Sequence, residues 1–338
     1  MATKSGRTII AEKPRTLKSV FLRWEWLLVV IFIIINIMNT VISPYYMSAA
    51  GLLNATSSFL EKSFVALLMA YVLILGDIDI SVGSIACLSA VLMAVSYNAG
   101  IPMGLCLLIG LLVGTACGLI NGLILTKFTE LAPMIVTLGT QILYRGIAEA
   151  ILGDQAAGGL TNVKWFSNLY WGKIGNVPIM LIFFIIFACL FGFILHKTIF
   201  GKWLYAIGSN KLAAQYAGIP VQKVRLTVFT LVGTFSAVTA IFLAARMGST
   251  RSDIATNYEM EAIAMAVLGG FTTTGGKGNF SGLILAIFIV GFLRYGLGLI
   301  NIPSQVMLVV IGGLLIVTVM IPNIKNGVLS IARKVKAH

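Results

Sequence analysis

Long apolar blocks recur along this chain, and they fix the solvent in which it folds. Residues 103–126 and 178–196 contain no Asp, Glu, Lys or Arg. A run of about 18 or more such residues, wound as a helix, crosses the roughly 30 Å hydrocarbon layer of a bilayer. It also satisfies its own peptide groups where no water is available. The blocks place candidate spans at 26–43, 51–75, 81–98, 103–126, 133–152, 178–196, 226–246, 258–270, 280–300 and 305–321. The eighth is short for a complete crossing and has room to continue into the glycines that follow. Glu61 and Lys62 interrupt the second, so the polar stretch around 43–62 can instead lie at the interface, with the crossing built from 63 onward. The expected fold is all-α: a polytopic integral membrane protein of about ten transmembrane helices with both termini cytoplasmic. It comprises a basic cytoplasmic tail over 1–23, a membrane domain over 24–322 with a cytoplasmic loop at 197–225, and a cytoplasmic tail over 323–338.

Composition agrees with this reading. Of 338 residues, 59% are hydrophobic and 10% charged, against about 25% charged in water-soluble domains. The formal net charge is +13, and its location decides its meaning. With both ends inside and ten spans alternating, seventeen of the 24 Lys and Arg fall on cytoplasmic segments, four outside and three (Lys62, Arg145, Arg294) within spans. Such a bias orients membrane proteins, so the basic excess is a topology signal and nucleic acid is not an expected partner; membrane lipid is. The first 23 residues carry no apolar core and no small-residue cleavage site, so the first span reads as a retained anchor. Cys87, Cys106, Cys117 and Cys189 all lie inside spans without CxxC spacing, and His196 and His338 stand apart from them. That pattern offers no metal centre and no disulfide framework. No phosphate-binding loop and no paired nucleophile and base occur, which points to a non-enzyme, or the non-catalytic subunit of one, with no cofactor or metal of its own.

Small residues mark packing faces. Gly110, Gly114, Gly118 and Gly122 recur every fourth position and share one side of the fourth span, where close backbone approach drives association in lipid. "GLINGLILTKF" at 118–128 echoes "GNFSGLILAIF" at 278–288. The odd span offset fits an inverted repeat, and coincidence among Gly/Leu/Ile-rich helices explains it equally well. Residues 153–177, with Trp165, Tyr170 and Trp171, form an outside loop suited to an interfacial aromatic belt or an external partner.

Three polar segments carry the candidate chemistry. In "GDIDISVGSI" (76–85), Asp77 and Asp79 stand between two apolar runs. One reading is a hydrated cytoplasmic turn, with Gly76 ending a helix and Ser81 or Asp79 capping the next. The other is a broken helix inside the membrane, tolerated only where it lines a cavity or is enclosed by protein. In "RMGSTRSDIATNYEME" (246–261), Arg246, Arg251, Asp253, Glu259 and Glu261 read either as solvated loop charge or as a docking surface or pathway mouth. "LGGFTTTGGKGNFSG" (268–282) makes a compact turn between two crossings. Within the fifth span Thr137, Gly139, Thr140, Gln141 and Arg145 supply polar atoms, and Arg145 is expected to pair with Glu149 one turn on.

Together these segments resemble the ribose-type sugar ABC transporter permeases. "GDIDISVGS" is similar to that family's Gly-Gly-Ile-Asp-Leu-Ser-Val-Gly-Ser signature. "GLINGLILTKFTELAPMIVTLGT", "GKWLYAIGSNKLAAQYAGIPVQKVR" and "AIAMAVLGGFTTTGGKGNFSG" resemble its other motifs in the same order, from about residue 20 to 322. Asp77 departs from the pattern, where the family commonly has glycine. The resemblance implies a permease subunit for import of a monosaccharide across the bacterial cytoplasmic (inner) membrane. It also implies an ATPase subunit that binds the ATP, an extracytoplasmic sugar-binding protein, and a second permease copy or a paralogue. "GSTRSDIATNYEMEAIAMAVLGG" and "IPSQV" look most like members handling rhamnose or autoinducer 2. On this basis the substrate pathway includes Asp79, Ser81, Thr137, Gln141 and Glu261. Asn210, Ala213, Ala214 and Gly218 form the ATPase-coupling helix, whose small residues would seat in a groove of the ATPase. The competing class is an ion- or proton-coupled secondary transporter with Asp77, Asp79 or Glu261 as its proton site. The charge distribution makes one immediate prediction: a Lys211→Cys variant is labelled by an impermeant thiol reagent only after the cytoplasmic side is opened, and labelling from outside overturns the topology.

Overall fold

The computed structural model describes residues 24–43, 46–303, 305–314, 316 and 320; the two expected tails, 1–23 and 323–338, lie outside them. The chain is built from helices in the order α1 (Trp24–Ile42), α2 (Ala49–Leu75), α3 (Val82–Asn98), α4 (Met103–Lys127), α5 (Pro133–Leu152), α6 (Lys164–Trp171), α7 (Ile179–Lys197), α8 (Ile199–Ser209), α9 (Lys211–Tyr216), α10 (Val221–Met247), α11 (Tyr258–Leu268), α12 (Phe280–Leu299) and α13 (Gln305–Leu314). A minimal hairpin, β1 (Lys173–Ile174) with β2 (Val177–Pro178), closes the segment between α6 and α7.

Seven of these, α1, α2, α4, α5, α7, α10 and α12, are long and apolar enough to cross a membrane. Helices α3 and α13 are apolar but shorter, and α11 has only 11 residues. The ten expected spans therefore divide into seven full-length helices and three short ones. Helix α11 does not continue into the glycine-rich stretch: it stops at Leu268, and Gly269 and Gly270 turn the chain away. Their backbones leave no room for a longer rod, because a Cβ at Gly269 would strike the backbone of Leu283 in α12. The segment expected as the inner loop is largely helical. Residues 199–216 form α8 and α9, and α10 begins at Val221 rather than 226.

Helix α2 is the axis of the bundle. Its spanning window is 89% buried, against 78% for α10 and 61% for α12. It packs against α7, α8, α10, α11 and α12, which accounts for a sequence that is apolar on every side. Glu61 and Lys62 do not interrupt it: the helix is unbroken from the Ser48 cap, whose side chain accepts from the Gly51 N–H, to Gly76. Glu61 and Lys62 are tolerated because both are buried against partners described below.

The glycine row of α4 meets its expectation and gains a partner. Gly114, Gly118 and Gly122 face α10, where Gly233 answers them, and Gly110 faces α3. A side chain at Gly118 would collide with the Phe229 carbonyl, and one at Gly233 with the Gly114 carbonyl. The hydroxyls of Thr115 and Thr234 meet across the same seam at 2.9 Å. At the other pole, the glycine-rich turn clasps the end of α2: the Gly276 N–H donates to the Ile74 carbonyl (2.8 Å). Gly275 (φ 81°) and Gly276 (φ 70°) supply the left-handed backbone that this contact needs.

The α4–α10 seam yields a paired prediction. Gly118→Val overpacks it and lowers the thermal midpoint of the purified protein in detergent, by a destabilisation of about 1–3 kcal/mol. Gly104→Val, in the same helix but with nothing near its would-be Cβ, leaves the midpoint unchanged.

Candidate substrate path and coupling surface

The two aspartates occupy a break between α2 and α3. Gly76 closes α2 in the left-handed conformation (φ 80°) and residues 77–80 run without helix. Asp79 is 0% exposed. Its Oδ1 accepts from the backbone N–H (2.9 Å) and hydroxyl (2.6 Å) of Ser81. The Ser81 Oγ accepts in turn from Asn121 Nδ2 of α4 (2.8 Å), and Asn121 Oδ1 from the Tyr144 hydroxyl of α5 (3.1 Å). Thr137 Oγ1 accepts from the Ile80 N–H (3.2 Å). The break is thus divided: Asp79, Ile80 and Ser81 are enclosed by protein, the condition under which irregular backbone survives away from water, whereas Gly76 is exposed and Asp77 and Ile78 are half-buried. Ser81 occupies the N-cap position of α3, but its side chain makes no cap bond because it is committed to Asp79 and Asn121. Asp79, Ser81 and Thr137, each fully buried, form a scaffold at the break. Asn121 and Tyr144 complete that scaffold and were missed in the sequence, where an Asn inside a glycine-rich span was the available signal.

Asp77 meets Arg225, at the start of α10. The guanidinium grips the carboxylate with both arms, Nε to Oδ2 at 2.6 Å and Nη2 to Oδ1 at 3.0 Å, while Nη1 donates to the Leu125 carbonyl of α4 (2.9 Å). Arg225, assigned by the charge pattern to a cytoplasmic segment, is 5% exposed.

The charges of 246–261 separate into distinct pairings. Arg251 and Asp253 form an exposed pair at 3.5 Å. Arg246 reaches Glu61 of α2 (3.0 Å), which also accepts from the Tyr258 hydroxyl (3.0 Å). Glu261 takes Lys62 Nζ on both oxygens at 3.1 Å and Arg294 of α12 on Oε1. At 3% exposure and with two cationic partners, Glu261 joins α2, α11 and α12 and does not line an open path. Arg145 does not pair with Glu149. Its Nη1 donates to the carbonyls of Ser252 (2.8 Å) and Ile254 (2.7 Å). Those carbonyls belong to an irregular stretch with Ala255 (φ 55°) and Asn257 (φ 66°) in left-handed conformations, and they need an internal donor more than an exposed carboxylate does.

One face of α5 stays open. Gln141, Ile142, Arg145, Gly146 and Glu149 line a shallow groove of about 410 Å³, flanked by exposed Ile135 and Leu138. Behind it, Gln141 Nε2 donates to Glu259 Oε1 (3.3 Å). A larger groove of about 620 Å³ between α1, α2 and α12 is lined mainly by apolar side chains such as Phe32, Ile33 and Ile37, with Asn36, Thr40 and Thr56 among them and no charged group. Of the expected pathway residues, Gln141 alone reaches an open groove.

The short helix α9 is built as its sequence implies at both ends. Asn210 Oδ1 accepts from the Ala213 N–H (3.0 Å), and Gly218 (φ 81°) turns the chain after it. Ala214, expected to face a partner, is 4% exposed and packs inward. The outward face is Leu212 and Tyr216, 67% and 90% exposed, with Ala213 between them.

Residues 51–319 match the family model described as "Branched-chain amino acid transport system / permease component". The chain belongs to this permease family. It is 36% identical over 301 residues, 88% of its length, to the "Autoinducer 2 import system permease protein LsrD" of Salmonella paratyphi A and of Salmonella typhimurium, covering 90% of each. The same identity and share relate it to the protein of that name from Escherichia coli, covering 91%. No solved structure matches it. The chain is thus a multi-pass permease subunit of the sugar-type ABC importers, as its motifs implied.

Within this permease, Asp77 has a reason to replace the family's usual glycine: it neutralises a buried arginine. Removing one member of such a pair strands the other charge, which costs about 3–5 kcal/mol. Arg225→Met is expected to depress the thermal midpoint sharply. The double variant Asp77→Gly with Arg225→Met recovers most of that loss. Equal midpoints for the single and double variants contradict the pairing.

Proposed function

We propose that this permease imports a monosaccharide or the furanose-like autoinducer 2 across the bacterial inner membrane, as one of two permease chains. A separate ATPase subunit binds and hydrolyses the ATP, and an extracytoplasmic binding protein delivers the solute. Ten crossings, three of them on short helices, and two cytoplasmic ends complete the topology. The observation that carries the reading is the polar row Gln141, Arg145 and Glu149 on an otherwise apolar, uncovered face of a membrane-length helix. Ionisable groups there are costly against lipid and characteristically face a water-filled path or another protein chain. A second permease chain, the same or a paralogue, set against α5 encloses the row and makes it the wall of a path. The import of autoinducer 2 by relatives covering nearly the whole chain supports the solute class.

Coupling follows from α9. Leu212 and Tyr216, one turn apart on the outward side, form an apolar knob that an ATPase groove would receive, with Asn210 and Gly218 fixing the helix ends and Ala213 allowing close approach. The proton-coupled alternative has less support, because Asp77 and Glu261 are held by arginine and lysine partners and Asp79 is sealed from solvent.

Two measurements test the reading in cells that co-express the cognate ATPase and binding protein. Gln141→Leu lowers uptake about tenfold or more with unchanged membrane abundance, the size of effect expected for one lost polar contact to a substrate. Leu212→Asp with Tyr216→Ala abolishes uptake and co-purification of the ATPase while insertion persists. Uptake that survives ATP depletion, or that collapses with the proton gradient alone, overturns the ABC assignment.

A further inference from the structure

The residue behind the groove has a purpose that its surroundings specify. Glu259, in the first turn of α11, is 4% exposed. Its Oε1 accepts from Gln141 Nε2 at 3.3 Å. Its Oε2 is enclosed without a hydrogen-bond partner and lies against Gly83 of α3, where a Cβ would overlap it. Three helices thus converge on one carboxyl group. Gly83 leaves the space for it, α11 carries it, and its side-chain hydrogen bond is to the amide of the expected pathway residue that reaches the groove.

An amide has two faces of opposite character, an acceptor oxygen and a donor NH2, and a free glutamine side chain presents either. Glu259 removes that freedom. Ionised, it is acceptor-only; carrying a proton on the enclosed Oε2, it still offers Oε1 as an acceptor. In both states the Gln141 NH2 is turned inward and its carbonyl oxygen is left for the groove. Arg145 has Nη1 committed to Ser252 and Ile254, and its side chain lines the same groove. Glu149 adds acceptor oxygens on the next turn.

We infer that Glu259 is a positioning residue for the substrate path: it locks Gln141 as a hydrogen-bond acceptor, so that the path selects solutes presenting hydroxyl donors. The inference rests on reading the α5 face as the path wall. It deepens that reading by naming what the wall recognises, a neutral polyhydroxylated solute whose hydroxyls donate to Gln141 and Glu149 and accept from Arg145. A site that hydrogen-bonds a hydroxyl discriminates strongly against the analogue lacking it, because its own polar group is then left unpaired.

The test uses the full transporter in membranes. Radiolabelled ribose, rhamnose and autoinducer 2 are offered in turn, each against an unlabelled deoxy analogue as competitor. Glu259→Met, similar in size but unable to accept the bond, frees the amide. It is expected to raise KM about tenfold at unchanged abundance, and to narrow the preference for the hydroxylated solute over its deoxy analogue. Gly83→Ala, whose Cβ meets both the Glu259 carboxyl and the Ala255 carbonyl, shifts both quantities the same way. The exchange of Gln141→Glu with Glu259→Gln re-forms the bond with an acceptor still facing the groove, and it restores KM and selectivity relative to Gln141→Glu alone. If Gln141→Leu impairs uptake while Glu259→Met leaves KM and selectivity untouched, the positioning role is overturned and the path reading stands. If Gln141→Leu and Glu259→Met are both silent, the path reading itself falls. Should Glu259→Met fail to accumulate, the exchange decides: a double variant no better than Gln141→Glu alone overturns the inference.

Discussion

A charge or a bare peptide group in hydrocarbon must find its partner inside the protein, because no water is there to supply one. The rest of this structure depends on how that demand is met. Arg225 closes on Asp77 and on the Leu125 carbonyl, Arg145 on two carbonyls of an irregular stretch, and Glu261 on Lys62 and Arg294. Each of these side chains joins segments that are distant in sequence. The polar groups that look anomalous in an apolar chain are therefore its long-range fastenings.

Those fastenings work on a frame that is unusually tight. Lipid gives helices little reason to hide from one another, so contact must come from close backbone approach. The glycines of α4 and the Gly233 answering them bring α4 and α10 together, and the same α10 carries Arg225 near its start, which holds the helix break and the end of α4. The start of α10 follows directly on α9, the short helix with Leu212 and Tyr216 outward. A partner gripping α9 is thus adjacent in the chain to the residue that secures the break. The break in turn carries α3, whose Gly83 abuts Glu259.

The polar stretch 76–81 shows how a site is divided between support and contact. Asp79, Ser81, Asn121 and Tyr144 form one continuous set of buried hydrogen bonds, and Thr137 beside them accepts from the Ile80 N–H. They satisfy backbone that no helix satisfies. The neighbouring turns of α5 carry Gln141 and Arg145 to the surface. A single helix therefore presents enclosed hydroxyls on one side and a polar row open to the groove on the next, separated by its 100° step per residue.

Much was legible beforehand because it depends on local composition. The length of the apolar blocks announces membrane helices, glycine at every fourth position announces a contact face, and Asn210 with Gly218 announces the ends of α9; each is decided within a few residues of chain. What the sequence left open depends on partners far along the chain. Nothing near Asp77 indicates Arg225, 148 positions away, nothing near Lys62 indicates Glu261, and the nearby Glu149 misdirects the reading of Arg145. Periodicity assigns Ala214 to a surface helix without saying which side turns inward. The physical reason is range: helix formation in hydrocarbon is settled by the segment itself, whereas pairing a buried charge is settled by which segments the packed bundle brings within about 3 Å of each other, and only the tertiary structure decides that.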